Sequence, residues 1–202
     1  PALEADGYRY EARVLEDAED GDTLGWDVYY AAPGTITNAT DPQQANNRII
    51  QLDPDTTTGF RFTIPGSVDD WTKLSWRMLG TDNYRVYIGC TTTLGHRYLK
   101  YMPGTFTPYL IGEYIHHPFG SLGNGKWDTL LRDAATDLTS VEPGNALLSI
   151  DAILFTGVSS VDDIATYTYI DLDGDTLPDT LETSLGLDPS DAVDAAADLD
   201  GD

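Results

Sequence analysis

Short runs of β-forming residues, separated by turn residues, constrain this fold more than any other feature. Over residues 1–170, stretches such as GWDVYYA, YRVYIGCTT and LLSIDAILFTG alternate with clusters of Gly, Pro, Asn and Asp. Apolar side chains in KLSWRML recur at every second residue, which is the period of a half-buried strand. About nine or ten such strands predict an all-β fold, a two-sheet antiparallel β-sandwich of the jelly-roll type. Helices are predicted only over 133–141 and 180–185, and Trp26, Trp76 and Cys90 are expected in the core.

Acidic residues are distributed unevenly along the chain. The 202 residues include 34 acidic and 11 basic ones, and the formal net charge is -23. Residues 171–202 hold eleven of the acidic residues and no Lys or Arg. This change predicts two units, a β-sandwich over residues 1–170 and an acidic tail, cut short, over residues 171–202. The negative field disfavours nucleic acid and anionic membranes as partners, and no apolar run is long enough to span a bilayer.

The tail begins with a ligand spacing typical of a calcium-binding loop. In DLDGDTLPDTLE, carboxylates occupy the first, third, fifth, ninth and twelfth places, and a backbone carbonyl occupies the seventh. The pattern DLDGD begins again at Asp198, which indicates a repeat. The segment resembles the thrombospondin type 3 repeats of secreted bacterial proteins, although Thr176 stands where that family usually has Gly. The predicted Ca²⁺ ligands are Asp171, Asp173, Asp175, Leu177, Asp179 and Glu182.

The two ends of the β-rich region carry a second acidic pattern. The segments LEDAEDGDTLGWDVY and SSVDDI resemble the first and last strands of jelly-roll carbohydrate-binding modules, which often hold a structural Ca²⁺ between them. Clustered carboxylates repel one another unless a hard cation neutralises them. The resemblance implies Ca²⁺ ligands at Glu16, Glu19, Asp22, Asp162 and Asp163, and a polysaccharide as the partner. Solvated acidic turns at the ends of the sheets are the alternative.

Basic residues concentrate between residues 71 and 132. This stretch holds seven Lys and Arg and all three His against three acidic residues, a net charge of +4. Ion pairing with the acidic remainder is one explanation, and a basic, aromatic groove is the other. Alternate residues of YRVYIG and GHRYLKYM place cations and aromatic rings on one face, which suits a sulfated or uronic polysaccharide. The predicted ligand-binding residues are Trp71, Arg77, Arg85, Tyr87, His96, Tyr98 and Lys100.

These patterns together favour a noncatalytic carbohydrate-binding module for an anionic polysaccharide, with Ca²⁺ as its cofactor. The parent is expected to be a secreted, multimodular bacterial polysaccharide-degrading protein, so neighbouring modules of one longer chain are further partners. The acidity is typical of a marine setting. One alternative is a jelly-roll polysaccharide lyase, in which a Tyr or His moves a proton and an Arg neutralises a uronate carboxylate. Its candidate residues are Arg97, Tyr114, His116 and His117. A calcium-stiffened structural or adhesion spacer is the third possibility.

Overall fold

The computed structural model describes most of the chain. The described residues are 2–5, 8–30, 34–53, 58–64, 73–120, 125–175, 179, 182–183 and 186–193, with side chains described from residue 12 onward except at 81–82 and 168–169. The chain forms two compact units, of which one is Val14–Thr166 and the other combines Pro1–Arg13 with Tyr167–Asp202. The Val14–Thr166 unit carries the groove described below.

Strands make up most of the described elements. In chain order these elements are β1 (Ala2–Ala5), β2 (Tyr8–Glu16), β3 (Trp26–Tyr30), β4 (Ile36–Asp41), β5 (Gln44–Leu52), β6 (Gly59–Thr63), β7 (Lys73–Thr92), β8 (Gly95–Met102), β9 (Tyr109–Ile111), β10 (Tyr114–Pro118), β11 (Asp128–Asp133), α1 (Ala134–Val141) and β12 (Leu147–Tyr169). The helix predicted over 133–141 is therefore present, with Asp133 as its N-cap, whose side chain accepts a hydrogen bond from the Thr136 backbone N–H. In the tail, Glu182 and Thr183 are helical, and the rest of the helix predicted there lies outside the described residues.

Two long strands, β7 and β12, connect the sheet of the Val14–Thr166 unit. Strands β12, β7, β8, β10 and β9 lie side by side in that order. Strand β7 pairs with β11 through residues 73–78 and with β8 through residues 86–92, and β12 pairs with both β6 and β5. Of the strand pairs with a described register, only β8–β10 is parallel. The predicted all-β sandwich is confirmed, with strand pairing that is largely antiparallel.

Alternation along β7 and β8 separates the core from an exposed face. Val86 and Ile88 of β7 and Leu99 and Tyr101 of β8 are fully buried. The residues between them point to the opposite face, since successive side chains of a strand alternate. Trp26, Trp76 and Cys90 lie in the core, as predicted.

Gly157 marks a close approach of two strands. It lies in β12, between the residues that pair with β6 and those that pair with β5, and its φ is +68°. A Cβ atom at this position would lie 2.8 Å from the backbone oxygen of Asn83 in β7. Only glycine satisfies both the positive φ and the short distance.

Replacing Gly157 by alanine should therefore destabilise the unit strongly. We expect Gly157→Ala to lower the free energy of unfolding by about 2–4 kcal/mol, because it combines backbone strain with a clash against main chain. Gly144→Ala is the matched control, since Gly144 has φ +90° but no atom within 4 Å of its virtual Cβ. That variant should lose only about 1 kcal/mol. Urea denaturation measures both, and equal losses would contradict the close approach.

Candidate functional site

Two adjoining cavities form one groove on the exposed face of β7, β8 and β10. The first cavity, of about 300 Å³, is lined by residues that include Tyr29, Tyr87, Tyr98, Lys100, Tyr114 and His116. The second, of about 310 Å³, is lined by residues that include Tyr29, Arg61, His96, Tyr98, Asp151 and Leu154. Both cavities share Tyr29, Tyr98 and Leu154, so we treat them as the Lys100 half and the Asp151 half of a single groove.

Strand register brings the residues of the Lys100 half together. Lys100 of β8 lies opposite Tyr87 of β7 and opposite His116 of β10. In the next row, Tyr98 lies opposite Gly89 of β7 and Tyr114 of β10. The Tyr98 ring packs over Gly89, where a Cβ would lie 3.4 Å from the ring, in ordinary van der Waals contact.

The aromatic rings of the groove pack in a fixed arrangement. Tyr98 and Tyr114 stack with their centroids 5.2 Å apart, and Tyr87 meets both rings edge-on at 6.3 and 6.2 Å. The Tyr29 and Tyr98 hydroxyls lie 3.2 Å apart and share a hydrogen bond. Each tyrosine offers an apolar ring face and a polar hydroxyl. A sugar ring has the matching surfaces, an apolar face of C–H groups and hydroxyls at its edge. The groove is therefore chemically suited to carbohydrate.

Lys100 is a half-buried cation inside this aromatic groove. Its Nζ lies 5.6 Å from the centroid of the Tyr87 ring. Among the described residues, no carboxylate lies in ion-pair contact with it. Burial, and secondly the nearby Arg85 guanidinium, lower the pKa of Lys100. Desolvating a cation without an opposite charge is unfavourable, so Lys100 makes this half of the groove attractive to an anion.

Most other cations of the basic stretch are neutralised by ion pairs. Carboxylates lie within 3.0 Å of the basic groups in the pairs Lys73–Asp133, Arg77–Asp162, Arg97–Glu142 and Arg132–Asp137. Arg85 instead donates from Nη1 to the backbone and side-chain oxygens of Asn83. Ion pairing therefore accounts for most of the local positive charge, but it does not account for Lys100.

Four of the seven predicted ligand-binding residues line the groove, and Arg85, which donates to Asn83, is not among the lining residues. Tyr87, Tyr98 and Lys100 line the Lys100 half, and His96 lines the Asp151 half with Tyr98. Arg77 is not brought to the groove, because its guanidinium donates to Asp162 and Asp163 and lies 4.9 Å from the Trp127 ring. Trp71 lies outside the described residues.

The sequence did not assign Tyr29 or Asp151 to a site, although both line the groove. Tyr29 belongs to β3, which reaches β12 only through its pairing with β6. The sequence does contain one signal for Asp151, which is a charged residue within the apolar run LLSIDAILF. It follows the buried Ile150 directly, so its side chain points to the other face of the strand. Such a position indicates exposure on a sheet face but not which residues share that face.

The four candidate lyase residues do not meet. Tyr114 and His116 line the groove, whereas Arg97 donates from Nε and Nη2 to both carboxylate oxygens of Glu142. His117 is buried on the other face of β10, where its ring stacks on Tyr101 at 5.5 Å. Burial raises the pKa of Tyr114, which opposes its use as a proton acceptor.

The acidic residues at the ends of the β-rich region each accept hydrogen bonds from the protein. Glu16 accepts from the Ala18 N–H and from Trp26 Nε1, Glu19 from the Arg48 N–H, and Asp22 from the Leu24 N–H. Asp162 Oδ2 accepts from Asn47 Nδ2 and Arg77 Nη1, and Asp163 accepts from Arg77 at 3.1 Å. Within the described part of the chain, no three of these five carboxylates have ligand atoms within 4.8 Å of one another. The structure therefore does not gather them into one cluster, and Arg77 occupies the position of a cation beside Asp162.

Burial changes the ionisation of Asp162. The buried position, and secondly the Asp163 charge, raise its pKa from 3.8 to about 6, despite the hydrogen bonds from Asn47 and Arg77. Between these two values the folded protein holds a proton that the unfolded chain has released. The stabilisation from this group is therefore fully present below pH 3.8 and is lost as the pH rises through about 6.

Comparison with Asp162→Asn, which cannot titrate, tests this assignment in Ca²⁺-free buffer. Relative to the variant, the wild type should lose about 1–3 kcal/mol of unfolding free energy between about pH 4 and about pH 7. Asp53→Asn, an equal change of charge at an exposed position, controls for net charge. A difference between wild type and Asp162→Asn that does not change with pH would contradict the raised pKa.

Three acidic side chains of the tail do lie together. Carboxylate oxygens of Asp171, Asp173 and Asp175 are all within 4.8 Å of one another. The turn is held by hydrogen bonds from the Gly174 N–H to Asp171 and from the Leu172 N–H to Asp179. Oxygen donors at these distances fit a hard cation such as Ca²⁺. Glu182 is buried, and Leu177 lies outside the described residues.

Comparisons with solved structures found carbohydrate-binding modules among the similar proteins. A family 11 carbohydrate-binding module of a cellulosomal cellulase from Clostridium thermocellum is 18% identical with a TM-score of 0.45, covering 77% of this chain and 94% of that chain. A xylan-binding domain from Paenibacillus barcinonensis is 11% identical with a TM-score of 0.43, covering 81% of this chain and 96% of that chain. No protein-family model matches the chain, and no curated protein matches it.

The described helices are all too short or too polar to cross a bilayer.

Proposed function

We propose that this chain is a noncatalytic carbohydrate-binding module that binds an anionic polysaccharide, sulfated or uronic, in the groove. The observation that carries the proposal is Lys100, a half-buried cation without a carboxylate partner among the described residues, set among the rings of Tyr87, Tyr98 and Tyr114. The rings stack on the apolar faces of the sugars, and Lys100 forms a charge-assisted hydrogen bond with a carboxylate or sulfate.

The predicted set of lyase residues is not assembled in the groove. An elimination reaction needs a proton acceptor close to a group that neutralises the uronate carboxylate. Arg97 is held by Glu142, and His117 is buried against Tyr101, so of the four predicted lyase residues Tyr114 and His116 line the groove, where Lys100 lies opposite His116. Shortening of a bound polysaccharide would nevertheless identify the chain as a lyase.

The tail supports the proposed context of the module. We propose that Asp171, Asp173 and Asp175, with Leu177, Asp179 and Glu182, bind Ca²⁺ and stiffen the connection to neighbouring modules of the same longer chain. We propose that the parent protein is secreted by a bacterium in a marine setting. Ca²⁺ is abundant outside cells, so a calcium-dependent connector would be loaded there. A spacer with no glycan ligand is the alternative if every polysaccharide fails to bind.

Variants of the groove test the binding proposal. Tyr114→Ala should weaken binding of an anionic polysaccharide about fivefold to tenfold through lost stacking. Lys100→Gln should weaken it at least about tenfold and flatten its dependence on salt, since a charge-assisted hydrogen bond is removed. Leu148→Ala, at an exposed apolar position outside the groove lining, is the control. Affinity gels and calorimetry measure these effects, and wild-type binding by both groove variants would refute the proposal.

Calcium binding by the tail is tested separately. Asp173→Ala should abolish one Ca²⁺-binding event in a calorimetric titration, because it removes one of the three clustered carboxylates. Asp53→Ala removes an exposed carboxylate outside the tail and should leave the titration unchanged. A titration of Asp173→Ala that matches the wild type would exclude this loop as the site.

A further inference from the structure

His116 is a second basic residue in the Lys100 half of the groove. It lies directly opposite Lys100 in the parallel pairing of β8 with β10, and both side chains line the same cavity. Neighbouring strands are about 4.8 Å apart, so a single carboxylate or sulfate group can contact both side chains. Such a group has two or three oxygens, which allows separate hydrogen bonds to Lys100 and to His116.

The ring of His116 is held in position but has no hydrogen-bond partner in the protein. It stacks on the Tyr109 ring of β9, with the centroids 4.6 Å apart and an interplanar angle of 10°. Among the described residues, neither of its nitrogens takes part in a hydrogen bond or an ion pair, and Nδ1 is buried. Nε2 is therefore the nitrogen that remains available to a ligand. The tyrosine ring also stabilises the cationic form of the imidazole, since a ring face attracts a cation.

The surroundings of His116 favour its neutral form in the protein alone. Burial, then the Lys100 charge and then His117, lower the pKa of His116. The titratable and charged groups on the strands around it are Arg85, Tyr87, Lys100, Tyr109, Tyr114 and His117. None of these groups is a carboxylate.

Two carboxylates close to β10 are directed to other histidines. Asp137 of α1 has its Oδ1 3.9 Å from Nδ1 of His117, which is buried on the other face of the strand. Glu113 has its Oε2 4.0 Å from Nδ1 of His96. Within the part of the chain that the structure describes, no carboxylate therefore offsets the positive charge of the Lys100 half. An anionic ligand would supply the negative charge that this half of the groove lacks.

We propose that Lys100 and His116 together hold one acidic group of the ligand, and that His116 takes up a proton when this group binds. The inference rests on the proposed binding of an anionic polysaccharide, and it assigns to that site a second anion-binding residue and a dependence on pH. A bound anion offsets the repulsion from Lys100 and attracts the cationic form of His116. Because linkage is reciprocal, protonation of His116 must then tighten the binding of the anion.

The direction of the pH dependence follows from the two states of His116. In the protein alone its pKa lies below the ordinary value of 6.5, and a bound anion raises it. Above both pKa values binding takes up no proton, and between them it takes up as much as one proton. Affinity therefore increases as the pH falls. We expect binding to be about fivefold to tenfold tighter at about pH 5.5 than at about pH 8.

Calorimetric titration with oligosaccharides of κ-carrageenan and of polygalacturonate tests this expectation. Their sulfate and carboxylate groups stay ionised between about pH 5.5 and about pH 8, so the charge of the ligand is constant. An ionic strength of about 0.15 M screens long-range charge effects. The polymer that binds distinguishes sulfate from uronate. Its binding should also take up protons, measured by comparing two buffers that differ in ionisation enthalpy.

The His116→Gln variant separates this histidine from the other titrating groups. Glutamine keeps a hydrogen-bond donor but gains no proton, so the affinity of the variant should change by less than about twofold between the two pH values. Asp162, whose pKa is about 6, titrates in both proteins, so the difference between them reports His116 alone. His96→Gln replaces the histidine of the Asp151 half, and the pH dependence should persist in that variant.

The outcomes distinguish this inference from the proposed function. If the wild type and His116→Gln show the same pH dependence, or if His96→Gln loses it, the role of His116 is refuted and the binding function stands. If His116→Gln does not fold, NMR titration of the wild-type His116 ring is the test, and a pKa that the ligand leaves unchanged refutes the role. If neither polymer binds at either pH, the proposed binding of anionic polysaccharide itself fails.

Discussion

The register between β7 and β8 is the constraint on which both the core and the groove depend. With Tyr87 opposite Lys100, the buried residues of both strands, such as Ile88 and Leu99, share the opposite face of the sheet. A slip of one residue would expose the apolar side chains and turn the tyrosines and the lysine into the core. Burial of the apolar face therefore also fixes the geometry of the exposed face, and the groove requires no separate stabilising element.

Electrostatics gives this groove its individual character. In a chain with a net charge of -23, most cations of the basic stretch are paired with carboxylates that hold the sandwich together, as in the Arg97–Glu142 and Arg132–Asp137 pairs. Lys100 instead lies among aromatic rings that cannot neutralise it, in a position that burial makes unfavourable. Asp151 and His96 line the other half of the groove, where His96 Nε2 lies 3.8 Å from Asp151 Oδ2.

The two acidic patterns show why some clusters of side chains can be predicted from sequence and others cannot. In the tail, Asp171, Asp173 and Asp175 are separated by single residues, so one local turn is enough to bring their oxygens together. The other pattern required residues near the first strand to meet Asp162 and Asp163 near the end of the last strand. Such a meeting depends on the path of the whole chain, and in this fold a guanidinium from β7 takes the place beside Asp162. The spacing of the acidic residues in the sequence gave no information about the Arg77 guanidinium, which belongs to a different strand.

By itself, the sequence determined the strand-rich fold, the helix after β11, and which residues share a face within β7 and within β8. All of these follow from periodicities of two or from a capping residue, which act over a few neighbouring residues. Only the tertiary structure decided which strands flank that face. The parallel pairing of β8 with β10 adds Tyr114 and His116, and β3 contributes Tyr29. Pairing between strands distant in sequence depends on burial across the whole domain, so the pattern within one strand does not specify its neighbour.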